Sequence, residues 1–326
     1  MRTLTLPDGA TTSQLGFGCS SLMGAMTRTE SVRSLEAAFD AGIRHFDVAP
    51  MYGYGQAESC LGDLLARHPG QLTLTTKYGI PPARNQSILS LGRRLARPVV
   101  RLLPGMKQRL TRAAGAISGA EPKSSFTPEQ ALTSLESSLR ELRTDHIHLW
   151  LLHEVEADDL QGDSLQRTLE DAVRSGKVGA FGVASGRDKL PHLLEAHPAL
   201  CQVAQFEWSI LDPALPQTSY LRIHHRAISE PFARLRSALS SQPATRDRWS
   251  AALETDLSVP ANLARLMLRA AVERNPESII LFSSKSPAHM RENVLLAGDP
   301  TLVGKAIRLH ELTQQDHDAL KLGDTH

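Results

Sequence analysis

The sequence predicts an α/β fold, a (β/α)₈ TIM barrel, and three observations predict it. Short β-rich runs alternate with longer helical patterns, as in βα units around a parallel sheet. Eight such runs occur in one chain. The 326 residues exceed the roughly 250 of an ordinary barrel, so the surplus is expected in long βα loops.

The expected strands, in order, are Leu15 to Gly18, Ile43 to Asp47, Leu72 to Lys77, His146 to Leu152, Ala180 to Val183, Gln202 to Gln205, Arg226 to Ser229 and Ser278 to Ser283. A helix starting at Thr29 places Val32, Leu35 and Phe39 on one face and stops at Gly42. The clearest helix start is Thr127-Pro128-Glu129-Gln130: an N-cap, a Pro at the first position and a capping-box Gln. Leu132, Leu135, Leu139 and Leu142 follow at helical spacing, and Leu165, Leu169 and Val173 repeat the pattern before Gly176.

Two connections exceed the 2–6 residues or so that a βα loop needs. Residues 78–126 carry nine Arg and Lys with Glu121 as the one acid, and apolar residues interleave with them. This insertion reads as a solvated helical excursion on the barrel rim; its place directly after the strand of Lys77 makes a lid the functional reading. Residues 231–257 read as a second loop insertion, rich in Arg and Ser. No linker or repeat divides the chain, so residues 1–326 are expected to form a single domain.

Composition narrows the function classes. The chain is 41% hydrophobic and 22% charged, and 36 Lys plus Arg against 35 Asp plus Glu leave a net charge of +1. No global field favours nucleic acid or an anionic membrane, so a small-molecule partner is expected. Cys19, Cys60 and Cys201 are few and far apart, which reads as reduced thiols in a cytoplasmic protein. Neither a signal-like apolar stretch at the start nor a run of about 18 apolar residues is visible. Monomer and small homo-oligomer are both left open. His224-His225 and His146-Ile147-His148 read as packing or surface residues, and no metal is expected.

Residues at the carboxyl ends of parallel barrel strands converge on one face. Asp47, Lys77 and His153 end consecutive expected strands, and Tyr52 follows Asp47 on the next loop. A phenol near pKa 10 is too weak an acid for ready use at neutral pH, and an adjacent ammonium lowers that value. Lys77 is expected to supply this effect, Asp47 to keep Lys77 charged, and His153 to donate to a carbonyl oxygen. Together they fit protonation of an oxyanion as hydride reaches its carbon.

On these residues the sequence resembles the aldo-keto reductases. Asp47-Val-Ala-Pro-Met-Tyr-Gly with Gln-Ala-Glu downstream, and Asp145-His-Ile-His-Leu-Trp-Leu-Leu-His153, match that family's motifs, and the likeness runs from about Leu15 to Leu296. The resemblance implies a (β/α)₈ barrel whose bottom is plugged by a hairpin of residues 1–14. It also implies reduction of aldehydes and ketones with a nicotinamide cofactor, with Asp47, Tyr52, Lys77 and His153 as the catalytic tetrad. For the cofactor it implies Ser185 and Gln205 at the carboxamide, and Ser283, Ser284, Lys285, His289 and Asn293 at the adenosine phosphate end. Ser286 and Pro287 open a helix there, whose N–H groups suit an anion. Ala184 replaces the family's usual Ser, His289 a usual Arg, and Ser283 a Lys of some branches. The aromatic ring common after the seventh strand is missing from Arg226-Ala-Ile-Ser-Glu-Pro231. Family habit favours NADP, with NAD possible.

Tyr54 and Trp208 are expected at the substrate pocket. No Gly-x-Gly-x-x-Gly fingerprint follows a strand, which disfavours a Rossmann dehydrogenase. The alternative is a nucleotide-binding regulatory protein of the same fold with little or no turnover. A barrel hydrolase pairing Asp47 with Glu154 or Glu207 leaves Lys77 and Tyr52 unexplained.

Overall fold

The computed structural model describes residues 1–24, 26–81 and 126–322. A two-stranded hairpin, β1 (Thr3–Thr5) and β2 (Thr11–Ser13), precedes a closed parallel barrel. The barrel strands are β3 (Leu15–Gly18), β4 (His45–Asp47), β5 (Thr73–Tyr78), β6 (Ile147–His153), β7 (Val178–Ala184), β8 (Val203–Glu207), β9 (Leu221–His225) and β10 (Ser278–Phe282). Each pairs with its sequence neighbour, and β10 closes the ring on β3 through Ile280 against Leu15. The β/α alternation in the sequence therefore builds the barrel it predicts.

Strand alternation divides the core in two. Leu149, Leu151, Ala180, Ala184, Val203, Ile223, Ile279 and Leu281 form one cluster drawn from five strands, which meet only inside the barrel. Leu6 from the hairpin packs into the same cluster from below. The alternate residues, such as Trp150, Leu152 and Phe181, pack outward with the surrounding helices.

Those helices follow their sequence signals closely. Helix α1 (Arg28–Asp40) starts at Thr27, which forms a capping box with Glu30, and Gly42 with φ +99° follows its end. Helix α2 (Ala57–Arg67) follows β4. Helix α3 (Pro128–Leu142) is capped by Thr127, and Leu135, Leu139 and Leu142 are buried, whereas Leu132 faces solvent. Helix α4 (Ser164–Arg174) buries Leu165 and Leu169. The remaining described helices are α5 (Leu190–Ala196), α6 (Ser229–Ser241), α7 (Pro243–Ala252), α8 (Pro260–Arg274), α9 (Pro287–Gly298) and α10 (Val303–Gln315).

Two expectations are corrected. The seventh barrel strand is Leu221–His225, not Arg226 to Ser229, where α6 already begins. Its signal was masked because buried Arg222 and His224 interrupt the apolar pattern. Residues 231–257 are not a loop but hold most of α6 and all of α7, with Leu235, Leu239, Trp249 and Leu253 buried in one core cluster. Asp316 fastens this unit, accepting from Arg248 at 2.5 Å and from the Trp249 indole at 2.7 Å. The basic stretch of the other insertion, including Arg93 and Arg94, lies outside the described residues. Among those described, no helix is long and apolar enough to cross a membrane.

The core also holds neutral histidines. His45 is fully buried, with Nδ1 3.0 Å from Thr73 Oγ1 and Nε2 3.0 Å from Thr75 Oγ1. His224 is fully buried edge-on to Phe206, with ring centroids 4.7 Å apart. Burial drives each down to about 3. Below about pH 6.5 the unfolded chain binds protons that the folded chain refuses, so stability present above that pH is lost as pH falls toward 3. Urea midpoints should fall between pH 7 and pH 5, each histidine contributing up to about 1.4 kcal/mol per pH unit. His224→Phe should flatten that dependence; an unchanged slope would contradict it.

Candidate active site

Asp47 and His153 end β4 and β6 and Lys77 is the last residue but one of β5; Asp47 pairs with Thr75 and Lys77 with Leu151, each two residues short of the next group, so strand alternation puts all three on one face. Tyr52 is delivered by the turn Tyr52–Gly55 after β4, in which Gly53 and Tyr54 both take left-handed backbone angles, φ +58° and +57°. A side chain at Gly53 would place its Cβ 2.5 Å from Leu22 O, so the turn needs glycine there. Glu58, buried at the start of α2, accepts from Thr76 Oγ1 at 2.6 Å and ties this segment to the strand of Lys77.

The Lys77 ammonium uses its three protons fully. It donates to Asp47 Oδ1 at 2.6 Å, Val48 O at 3.2 Å and Tyr52 Oη at 3.4 Å. The second Asp47 oxygen accepts from Gln205 Nε2 at 2.9 Å. Both Lys77 and Asp47 are almost wholly buried. Burial alone would discharge Lys77, but Asp47 and then Tyr52 outweigh it and hold the ammonium above the ordinary lysine range.

Tyr52 departs from expectation. Burial raises its phenol, Lys77 lowers it by less, and the net is a pKa above the ordinary value of 10. The lysine therefore does not create a phenolate in this state. It offsets part of the burial penalty on a neutral phenol. Because Lys77 can only donate, Tyr52 Oη is the acceptor in their bond, and the hydroxyl proton is left for another acceptor. His153 stands edge-on to Tyr52, ring centroids 6.1 Å apart, and burial, then Lys77, depresses it to about 3. It is a neutral imidazole with one N–H to give.

All four residues line one cavity of about 920 Å³, and the same cavity reaches Ser185, Gln205, Ser283, Ser284, His289 and Asn293. Several of these are already engaged. Ser185 Oγ donates to Val155 O at 2.7 Å, Ser283 Oγ to Gly18 O at 2.8 Å, and Ser284 Oγ accepts from Ser286 N–H at 3.1 Å. Ser286 Oγ caps α9 by accepting from His289 N–H, and Pro287 has no N–H, so this terminus offers fewer free donors than expected. Buried Gln205 Oε1 has no partner among the described residues.

Three expected contacts are not brought in. Lys285 is exposed and is not a cavity wall. Trp208 is buried against His224 and His310, with its indole N–H on Pro213 O at 3.1 Å, and Tyr54 stays on its turn; neither lines this cavity. Sequence reading missed His225 and Arg265, gave Arg226 no role at the site, and considered Glu207 only as the partner of Asp47 in a hydrolase. The misplaced seventh strand hid His225, which ends β9 and supplies a planar ring where none was expected. Burial is the main cause that lowers it to about 4. Arg265 lies within α8, where no strand-end signal exists.

The Asp47–Lys77 pair carries a testable cost. Lys77→Met leaves a buried carboxylate short of its cation and should destabilise the fold by about 3–5 kcal/mol in chemical denaturation. The double variant Asp47→Asn/Lys77→Met should be more stable than Lys77→Met alone. A double variant that is no more stable would contradict the pairing.

Comparison with known proteins agrees with this architecture. The pyridoxal 4-dehydrogenase of Microbacterium luteolum is 39% identical over 98 residues, 26% of this chain and 29% of that protein. The D-threo-aldose 1-dehydrogenase of a Pseudomonas species is 31% identical over 189 residues, 52% of this chain and 49% of that protein. The chain spans about half or less of the length of these curated relatives. Aldo-keto reductase AKR11C1 from Bacillus halodurans superposes with a TM-score of 0.68 at 18% identity, covering 100% of this chain and 97% of that one. An aldo-keto reductase from Klebsiella pneumoniae in complex with NADPH gives 0.60 at 19% identity, with 95% of each chain covered. The sequence profile of the Aldo/keto reductase family matches residues 14–218, well over half of the chain, and the protein belongs to that family.

Proposed function

We propose that this protein interconverts an aldehyde or ketone and its alcohol with a nicotinamide dinucleotide, Tyr52 being the proton donor. The observation that carries the reading is the buried chain Asp47, Lys77, Tyr52, which holds a neutral phenol at the cavity with its oxygen against an ammonium.

The residues fit such a cofactor. Gln205 Oε1 is buried without a partner among the described residues, and a carboxamide N–H₂ is the kind of donor that would satisfy it. Ser284, His289 and Asn293, which also line the cavity, would hold the adenosine phosphate. When bound, the dinucleotide supplies or accepts the hydride. NADP is favoured over NAD by family membership and by the NADPH in the Klebsiella relative.

The protein's own part is proton management. The neutral His153 donates its N–H to the carbonyl oxygen and orients it. As negative charge develops on that oxygen, the Tyr52 O–H bond breaks and its proton moves across. The phenolate left behind is held by the Lys77 ammonium, whose own charge Asp47 secures. The raised Tyr52 pKa keeps the phenol protonated at neutral pH, so the form that meets a carbonyl is the one that carries the proton reduction requires.

Tyr52→Phe should lower kcat for carbonyl reduction about 10²–10⁴-fold, followed as NADPH oxidation across a panel of aldehydes and ketones. NADPH affinity, read by quenching of Trp fluorescence, should stay within a few fold. Wild-type turnover in that variant would remove Tyr52 from the chemistry. A wild-type protein that binds NADPH but oxidises it with no carbonyl would favour the regulatory alternative.

A further inference from the structure

At the opposite end of the barrel from the cavity, the hairpin turn between β1 and β2 meets the starts of β6 and β7. There Asp8, His146 and His148 present three ligand atoms within 4.8 Å of one another. We propose that these residues form a binding site for a zinc-class divalent ion, which fastens the N-terminal hairpin to the barrel.

The Asp8 carboxylate is held in place. Its Oδ1 accepts from Ala10 N–H at 3.0 Å, which turns Oδ2 toward His146 Nε2 at 3.3 Å. Although the Asp8 backbone is exposed, its side chain is only 13% exposed. Gly179 on β7 makes the room: a Cβ there would sit 2.4 Å from Asp8 Oδ2.

The imidazole of His146 is also oriented. Its Nδ1 lies 2.7 Å from Gly176 O, a carbonyl that can only accept, so Nδ1 carries the proton. In the neutral ring the Nε2 lone pair then faces a carboxylate oxygen. Two electron-rich atoms at 3.3 Å are reconciled either by a proton on Nε2 or by a metal ion between them. Ligand bonds of about 2.0–2.2 Å in a tetrahedral zinc site give ligand-to-ligand edges of about 3.3–3.6 Å, which the Asp8–His146 separation matches. The Nδ1 bond to a backbone carbonyl is also the usual outer support of a metal-binding histidine.

His148 completes the set on the same side of β6, its ring edge-on to His146 with centroids 5.0 Å apart. Its Nδ1 accepts only a long bond, 3.4 Å, from Leu74 N–H, and ligation requires giving that bond up. The His146 side chain is 35% exposed, which leaves water access to a fourth position. Two imidazoles and one carboxylate select zinc, copper or nickel over magnesium.

The test uses the full chain, stripped with EDTA and titrated calorimetrically with ZnCl₂ at pH 8, with MgCl₂ as control. The expected result is one zinc per chain, a zinc-dependent rise in melting temperature, and no magnesium effect. Asp8→Asn and His148→Gln should each weaken zinc at least tenfold and abolish the rise. Cobalt(II) should give visible d–d bands in the wild type that both variants lose. No saturable zinc binding by the wild type would mean that Asp8 and His146 form a plain ion pair, and would overturn the proposal. Equal binding in wild type and both variants would overturn it as well, by placing zinc elsewhere.

Discussion

A lysine and an aspartate buried together, Lys77 against Asp47 at 2.6 Å, are the constraint on which the top of this barrel depends. Charges withdrawn from water are tolerable only when every proton and lone pair is met. Here Lys77 is met by Asp47, Val48 O and Tyr52, and Asp47 by Lys77 and Gln205. Three strands, β4, β5 and β8, and one turn are joined by satisfying a single ammonium and its carboxylate. The geometry at this end of the cavity follows from this electrostatic obligation.

The same burial sets the character of each titratable group around the cavity. Loss of water pushes acids toward neutral and bases toward neutral, and local charges then correct the result. Tyr52 remains a phenol, and His153 and His225 remain imidazoles. Lys77 by contrast stays charged, because Asp47 is close enough to reverse the effect of burial. An uncharged donor beside a fixed cation suits a reaction in which negative charge appears only as the carbonyl is attacked. The opposite charge arrangement, with paired acids, is ill suited here: both Asp47 oxygens are committed.

Much of this was legible in the sequence because the signals were local. Asp47, Lys77 and His153 stand at the ends of runs whose strand character is plain, and Tyr52 lies five residues after Asp47 with a glycine beside it. What the sequence obscured were features settled by tertiary contact. Buried Arg222 and His224 made β9 look polar, displaced the expected strand and concealed His225. The helices α6 and α7 read as a loop because their few buried apolar residues sit among arginines and serines. The sign of the Tyr52 shift was misjudged, since the adjacent lysine is visible in a motif and the depth of burial is not. Trp208 was assigned to a pocket wall on residue type, and the fold spends it on core.

The most direct test of this account is a spectroscopic titration of the cofactor-free protein, taken as the wild type minus Tyr52→Phe difference in phenolate absorbance. If burial dominates over Lys77, the difference signal appears only above the ordinary phenol range near pH 10. Phenolate absorbance from Tyr52 developing below that range would show that the lysine, not burial, sets the state of this phenol, and would contradict it.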